Sequence, residues 1–358
     1  MRIGFFLQNN KQGGLDTFVL QLVQNWPNPD QLVLFCNESH PGLEYLRQNM
    51  PKSVEIISYD FLIFQDFDWR FKIYPSFFSR ICKILFWIVG FIYQVKVLKK
   101  RFSQIILDRL LVINGGYPAG DACLAATVAW GKLNRDQLAW HNFHNFVVPL
   151  PTSLLRRMKE NWIDKQVANS IQGFVSVSQS CRDSLDNRTL LKNPRREFIY
   201  NGMMPLEIKH KSDLRSELSL VNETQIILML GVYEPRKGHH FIINVMERVV
   251  SICTSAHLLI CGDGNKEEVQ VVEELRRQSK ASSHIHLSGH REITNLFQQT
   301  DLLVVPSQAY ESFGYTALEA MSFKLPVVVT NIGGLPEVVK NEECGYVVDY
   351  KNVDDFAN

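Results

Sequence analysis

The stretch Glu311-Ser-Phe-Gly-Tyr-Thr-Ala-Leu-Glu319 sets two carboxylates either side of a glycine, with seven residues between them. It follows the apolar run Asp301–Pro306, which reads as a strand, and Gly314 reads as the start of a helix. The free N–H groups and dipole at a helix start favour an anion. The amides of Ser312, Phe313 and Gly314 are therefore candidates to hold a diphosphate. Glu319 can accept hydrogen bonds from paired hydroxyls such as those of a ribose, and Glu311 stands at the mouth of the loop, near a sugar. A second turn, GVYEPRKG (231–238), carries Arg236 and Lys237, and an ammonium there can neutralise phosphate charge. Only one of the two side chains can face the same way.

Three further turns carry weaker signals. Gly262-Asp-Gly264 has the look of a phosphate loop, although a tight turn explains it equally. Gly13 and Gly14, after the first strand-like run, let the backbone approach a ligand closely. Trp140-His141-Asn-Phe-His144-Asn145 offers two histidines at a strand end, either able to take a proton from a hydroxyl or to hydrogen-bond a sugar. His144 is the preferred one of the pair. Asn114-Gly-Gly-Tyr-Pro118 either shapes a second substrate's site or is a plain turn.

Elements able to position these residues follow from the pattern. In the C-terminal half, β-branched runs at Ile226–Leu230, His257–Cys261, His284–Leu287, Asp301–Pro306, Pro326–Thr330 and Tyr346–Val348 alternate with helical stretches near 238–251, 266–280, 291–299, 314–323 and 335–340. Such alternation predicts a parallel, doubly wound sheet. The N-terminal half is α/β as well, with strands expected at Ile3–Leu7, Gln31–Phe35, Val54–Ile57, Gln104–Leu107, Leu138–Trp140 and Phe174–Val177. Asn201-Gly-Met-Met-Pro205 and the polar stretch Glu207–Glu217 mark the boundary, giving domains 1–204 and 205–358. Two Rossmann-like domains facing a central cleft are expected, with ligands at the carboxyl ends of the strands.

Length and composition agree. A chain of 358 residues, 46% hydrophobic and 21% charged, is long enough for two globular domains. Its 38 basic and 37 acidic side chains leave a net charge of +1, which argues against a nucleic-acid binder. Seven scattered cysteines without C-x-x-C spacing read as reduced thiols rather than disulfides or a zinc site, and no metal is expected. Met1 opens directly on the strand-like Arg2-Ile-Gly-Phe-Phe-Leu7, so no signal peptide is expected. The segment Arg70–Arg101 is exceptional: eight basic residues, eight aromatics and no acid. Its longest apolar run, Ile84–Tyr93, has ten residues, about half the ~20 of a membrane span, so spanning is not expected. A helix buried beneath the N-terminal sheet and one contacting an anionic bilayer both fit it.

The two-glutamate loop within PSQAYESFGYTALEAM (306–321) resembles the signature of the family 4 retaining glycosyltransferases. So do GVYEPRKG (231–238), LLICGDG (258–264), LSGH (287–290), DLLVVPS (301–307) and LPVVVTNIGGLPEVV (325–339). The resemblance covers most of the C-terminal half and implies the two-domain GT-B fold. It implies a metal-independent enzyme without a cofactor, while the reduced thiols and strand-like N-terminus read as cytoplasmic and the segment 70–101 leaves a peripheral contact with the membrane open. The enzyme would move a hexose from a UDP or GDP sugar to a glycan or lipid-linked acceptor during surface polysaccharide, lipopolysaccharide or glycolipid assembly. On it, Glu311 contacts the donor hexose, Glu319 the ribose, Lys237 the leaving diphosphate, and Gly262 and Gly264 line the base and ribose pocket. One of His141 and His144 sits at the end of its strand beside the acceptor. The sequence departs from the family in carrying Val232 where a second cation is usual, and in ending short of the usual closing helix. Both departures keep open an alternative, a nucleotide-sugar-binding partner or degenerate subunit with little catalysis.

Overall fold

A computed structural model describes residues 1–61, 76–118, 120–133, 138–207 and 213–358. Of the basic segment, Arg70, Lys72 and the side chain of Arg80 lie outside the described residues, as does part of the expected polar stretch Glu207–Glu217. The chain divides into two compact units, Met1–Tyr200 and Asn201–Asn358.

In the N-terminal unit the strands are β1 Arg2–Leu7, β2 Gln31–Asn37, β3 Glu55–Tyr59, β4 Arg109–Asn114, β5 Ala139–Phe143, β6 Ile171–Ser176 and β7 Arg195–Phe198. In the C-terminal unit they are β8 Gln225–Leu230, β9 Ala256–Cys261, β10 Ile285–Leu287, β11 Leu302–Val305, β12 Val327–Thr330 and β13 Tyr346–Val348. All pairings are parallel, in the orders β3-β2-β1-β4-β5-β6-β7 and β10-β9-β8-β11-β12-β13. Both units are therefore Rossmann-like and doubly wound, and strand order reverses between β1 and β4 and between β8 and β11. Strands such as β1 and β9 are apolar almost throughout because helices cover both faces of a parallel sheet. In the C-terminal unit, Leu228, Leu259, Val305 and Val329 fill one face and Met229, Leu258, Ile260 and Val304 the other.

Most strands begin or end within a few residues of their sequence-based bounds, with two exceptions. Gln104–Leu107 is not a strand, because the helix Ser76–Gln104 runs through its start and β4 begins only at Arg109. Ile105, Ile106 and Leu107 lie in the connection between that helix and β4. The edge strand β7, Arg-Arg-Glu-Phe, carries no apolar run and gave no signal.

That 29-residue helix also corrects the length argument against a membrane span. Ile81–Gln104 holds an 18-residue window of mean hydropathy 1.8, long and apolar enough to cross a bilayer by length and composition. An uninterrupted apolar run stops at Gln94, whereas the helix continues through it.

Candidate functional site

The β8/β11 reversal is where an open α/β sheet exposes backbone N–H groups at its carboxyl edge. Lys237 follows β8 and Glu311 follows β11, and the fold brings them together: Lys237 Nζ donates to Glu311 Oε2 at 2.5 Å. Their side chains are 15% and 13% exposed, so the pair is partly desolvated yet reachable from solvent. The buried Ser307 hydroxyl donates to the same Glu311 oxygen at 3.2 Å. Ser307 is held in turn, because Thr330 at the end of β12 donates from Oγ1 to its carbonyl at 2.6 Å. Three strand ends thus hold one carboxylate.

Glycines make this approach possible. Gly238 adopts φ 84°, and a Cβ there would lie 1.9 Å from the Pro306 carbonyl oxygen. It caps the helix His239–Ile252 and brings Lys237 beside the end of β11. The Lys237 stem runs over Gly231, with Cγ and Cδ 3.6 Å from where a Cβ would stand. From the other side, Gly333 at φ 60° presses against the Glu311 carbonyl, and Gly334 N donates to that carbonyl at 2.8 Å. The turn after β12 therefore clamps the backbone of the glutamate loop.

Glu319 lies in the helix Tyr315–Ser322, whose cap Gly314 has φ 99°. Burial pushes the Glu319 carboxyl up to about 7, with no cation contributing. Phe313 is buried edge-on against Tyr315, so Ser312 and Gly314 flank an anchored side chain. With Lys237 on Glu311, Arg236 faces another way, as expected of its neighbour: its guanidinium turns to Glu234 at 2.5 Å and lies over the Tyr310 ring at 5.0 Å. Val232 is 39% exposed and supplies no charge. Packing accounts for Gly262 and Gly264. A Cβ at Gly262 would sit 1.8 Å from Gly231 O, and one at Gly264 would sit 2.9 Å from Tyr233 Cβ.

In the N-terminal unit, Gly13 and Gly14 follow β1, and a Cβ on either would meet nothing within 4 Å. The unit's own packing does not require them. What fixes their loop is the buried Asp16, which accepts from Gly13 N at 2.9 Å and Asn9 Nδ2 at 3.2 Å and contacts His40 Nε2 at 2.8 Å.

The two histidines part company. His141 lies within β5, is 0% exposed and stacks on Phe174 at 5.9 Å, so it is a core residue rather than a catalytic one. Asn114 Oδ1 accepts from Gly116 N, which turns Asn114 Nδ2 toward His141 Nε2 at 2.8 Å. His144, just past β5, is only half-buried, with its ring 4.1 Å from that of Phe18. Asn142 Nδ2 donates to the Val175 carbonyl, so Asn142 Oδ1 faces His144 Nε2 at 2.6 Å. Nε2 therefore carries the proton and Nδ1 is the acceptor. Burial holds both imidazoles down to about 3, neutral at pH 7 and too weakly basic to serve as a strong proton acceptor.

Three residues here were not singled out from the sequence: Ser307, Thr330 and Asp16. Asp16 had a signal, an acid at the third position of a helix opened by Gly13. Ser307 and Thr330 had only their places at strand ends. Among the described residues, no group of three or more His, Cys, Asp or Glu side chains could hold a metal ion.

Residues 210–358, which contain the Lys237–Glu311–Glu319 constellation, match the family model described as Glycosyl transferases group 1. The match lies within the C-terminal unit and covers less than half of the chain. Among curated relatives, the glycosyltransferase MJ1607 of Methanocaldococcus jannaschii is 30% identical over 192 residues, 51% of this chain and 48% of that protein. The GPI3 subunit of phosphatidylinositol N-acetylglucosaminyltransferase from Saccharomyces cerevisiae is 26% identical over 194 residues, 52% of this chain and 42% of that one. The chain thus spans about half the length of the curated relatives it matches. Among solved structures, a glycosyltransferase from Rickettsia africae superposes with a TM-score of 0.73 at 18% identity, covering 99% of this chain and 86% of that one. Anabaena Alr3699/HepE, solved in complex with UDP, gives 0.69 at 17% identity, covering 100% and 88%. These likenesses carry the fold, the GT-B pairing of two Rossmann-like domains.

Proposed function

We propose that this chain is a retaining glycosyltransferase that takes a hexose from a UDP or GDP sugar and passes it to a hydroxyl of a glycan or lipid-linked acceptor in surface-glycan assembly. The observation that carries the reading is the Lys237–Glu311 pair, anchored by Ser307 at the strand-order reversal of the C-terminal unit. On donor binding, the Lys237 ammonium neutralises charge building on the leaving diphosphate, and the Glu311 carboxylate exchanges the lysine for donor hexose hydroxyls. The amides of Ser312, Phe313 and Gly314 add donors to the phosphates, and Glu319 binds the ribose. Charge neutralisation by Lys237 and these amides supports a reaction without a bound metal or cofactor. Gly13 and Gly14 keep their backbone open to a ligand. The neutral His144 offers Nδ1 to a hydroxyl as a hydrogen-bond acceptor, while the leaving phosphate oxygen takes the acceptor's proton in a front-face displacement. All seven cysteines are free thiols, in keeping with a cytoplasmic location.

The test is turnover of UDP- and GDP-hexoses by the Lys237→Ala and Glu311→Gln variants. Both should fall by about 10²–10³-fold while remaining folded; near-normal turnover in both would remove the assignment. The uncharged Val232 favours one rival, a subunit that binds a nucleotide sugar with little catalysis. Wild-type chain that binds a donor but neither transfers nor hydrolyses it would establish that rival instead.

A further inference from the structure

The helix Ser76–Gln104 has two faces. Trp87, Phe91, Val95, Leu98 and Phe102 recur at helical spacing and are at most 7% exposed. They dock the helix: Phe102 meets the rings of Phe6, Phe35 and Trp130, Phe91 meets Trp162, and Trp87 Nε1 donates to Asp121 Oδ2 at 2.9 Å. On the opposite face Leu85, Phe86, Val89, Ile92 and Tyr93 stand 41–66% exposed. One and two turns further on, the same face continues as the exposed Lys96, Lys99 and Lys100. The helix contains no acid in its 29 residues.

A water-facing helix surface is ordinarily polar, and a contiguous exposed apolar patch marks an interaction surface. Charge decides the occupant. Three lysines in line with an apolar patch, without one carboxylate on the helix, complement a surface that is apolar inside and anionic at its rim. The docked face decides the mode. Spanning a bilayer would strip Phe102 from three aromatic rings and Trp87 from Asp121, which leaves contact along the helix, not passage through it, as the mode open to it.

We propose that this outward face seats the N-terminal unit on an anionic lipid surface. The apolar residues, spread over about 12 Å of helix, enter the acyl boundary, and Lys96, Lys99 and Lys100 meet the head groups. The inference goes beyond the glycosyl-transfer reading and does not depend on it.

Sedimentation of the full chain with vesicles tests it, comparing phosphatidylcholine alone with phosphatidylcholine containing phosphatidylglycerol. The wild type should partition onto the anionic vesicles and much less onto the neutral ones, with binding falling as salt is raised. Replacing Lys96, Lys99 and Lys100 together by Ala should weaken partitioning by roughly a hundredfold, about fivefold per lysine. Val89→Ser with Ile92→Ser should weaken it by roughly tenfold or more. Both sets of side chains are exposed, so thermal melts of the variants should match the wild type. Absence of binding to anionic vesicles, or unchanged binding by the lysine variant, would overturn the proposal. So would a dimer in light scattering that Val89→Ser/Ile92→Ser dissociates while vesicle binding is absent, since a second copy would then be the occupant. Nucleotide-sugar binding is measured without vesicles, so either reading can fail alone.

Discussion

Glu319 links burial, protonation and pH at a single side chain. Its carboxyl, raised to about 7 by burial, is neutral in the folded chain at pH values where the unfolded chain has already ionised it. The stability this confers is fully present below pH ~4.5 and is lost as pH rises through ~7. Glu319→Gln should therefore match the wild type in stability near pH 4 and exceed it by ~1–3 kcal/mol at pH 8. Denaturant melts across that range check it; a constant difference at every pH would contradict the burial argument. The histidines make a second pair of residue-scale expectations. His141→Ala should cost ~2–4 kcal/mol, since it opens a core cavity beside Phe174 and removes the His141 contact of Asn114 Nδ2. His144→Ala should leave the unfolding free energy within ~1 kcal/mol of the wild type and lower turnover instead. A large stability loss at His144 with unchanged turnover would make it structural too.

At the scale of elements, the site depends on glycines that no side chain can replace. Gly238→Ala combines a positive φ with a Cβ 1.9 Å from the Pro306 oxygen, so it should destabilise the C-terminal unit by more than ~2 kcal/mol and misplace Lys237. A Gly238→Ala variant with wild-type stability and turnover would show that the strand ends need not approach as described. The same elements show what the sequence made legible. Runs such as Ile226–Leu230 and Val327–Thr330 are readable because parallel strands covered on both faces must be apolar and β-branched, whereas β7, at an edge, is polar and went unseen. The chemistry of Lys237, Glu311 and Glu319 was legible because it sits in strand-to-helix turns with glycine punctuation. Ser307 and Thr330 were not, since a hydroxyl's role depends on a neighbour supplied by a different strand. Nor was the fate of the two histidines: a shift of three positions separates a core ring within β5 from a half-buried one just past its end, finer than sequence-based boundaries resolve.

For the whole molecule, the net charge of +1 hides an uneven distribution. A helix without a single acid belongs to one unit, and Glu311, which meets Lys237, and Glu319 belong to the other. The central claim concerns the second unit: that Lys237 and Glu311 receive the diphosphate and hexose of a nucleotide sugar. The most direct measurement is the thermal shift of the chain with UDP, GDP and their hexose conjugates, for the wild type, Lys237→Ala and Glu311→Gln. A ligand at about a hundred times its Kd should raise the midpoint of the C-terminal unit by roughly 5 °C or more. Lys237→Ala should abolish that rise for nucleotide and nucleotide sugar alike, and Glu311→Gln should remove only the increment the hexose adds. No shift with any nucleotide sugar, or a full shift in the Lys237→Ala variant, would contradict the account.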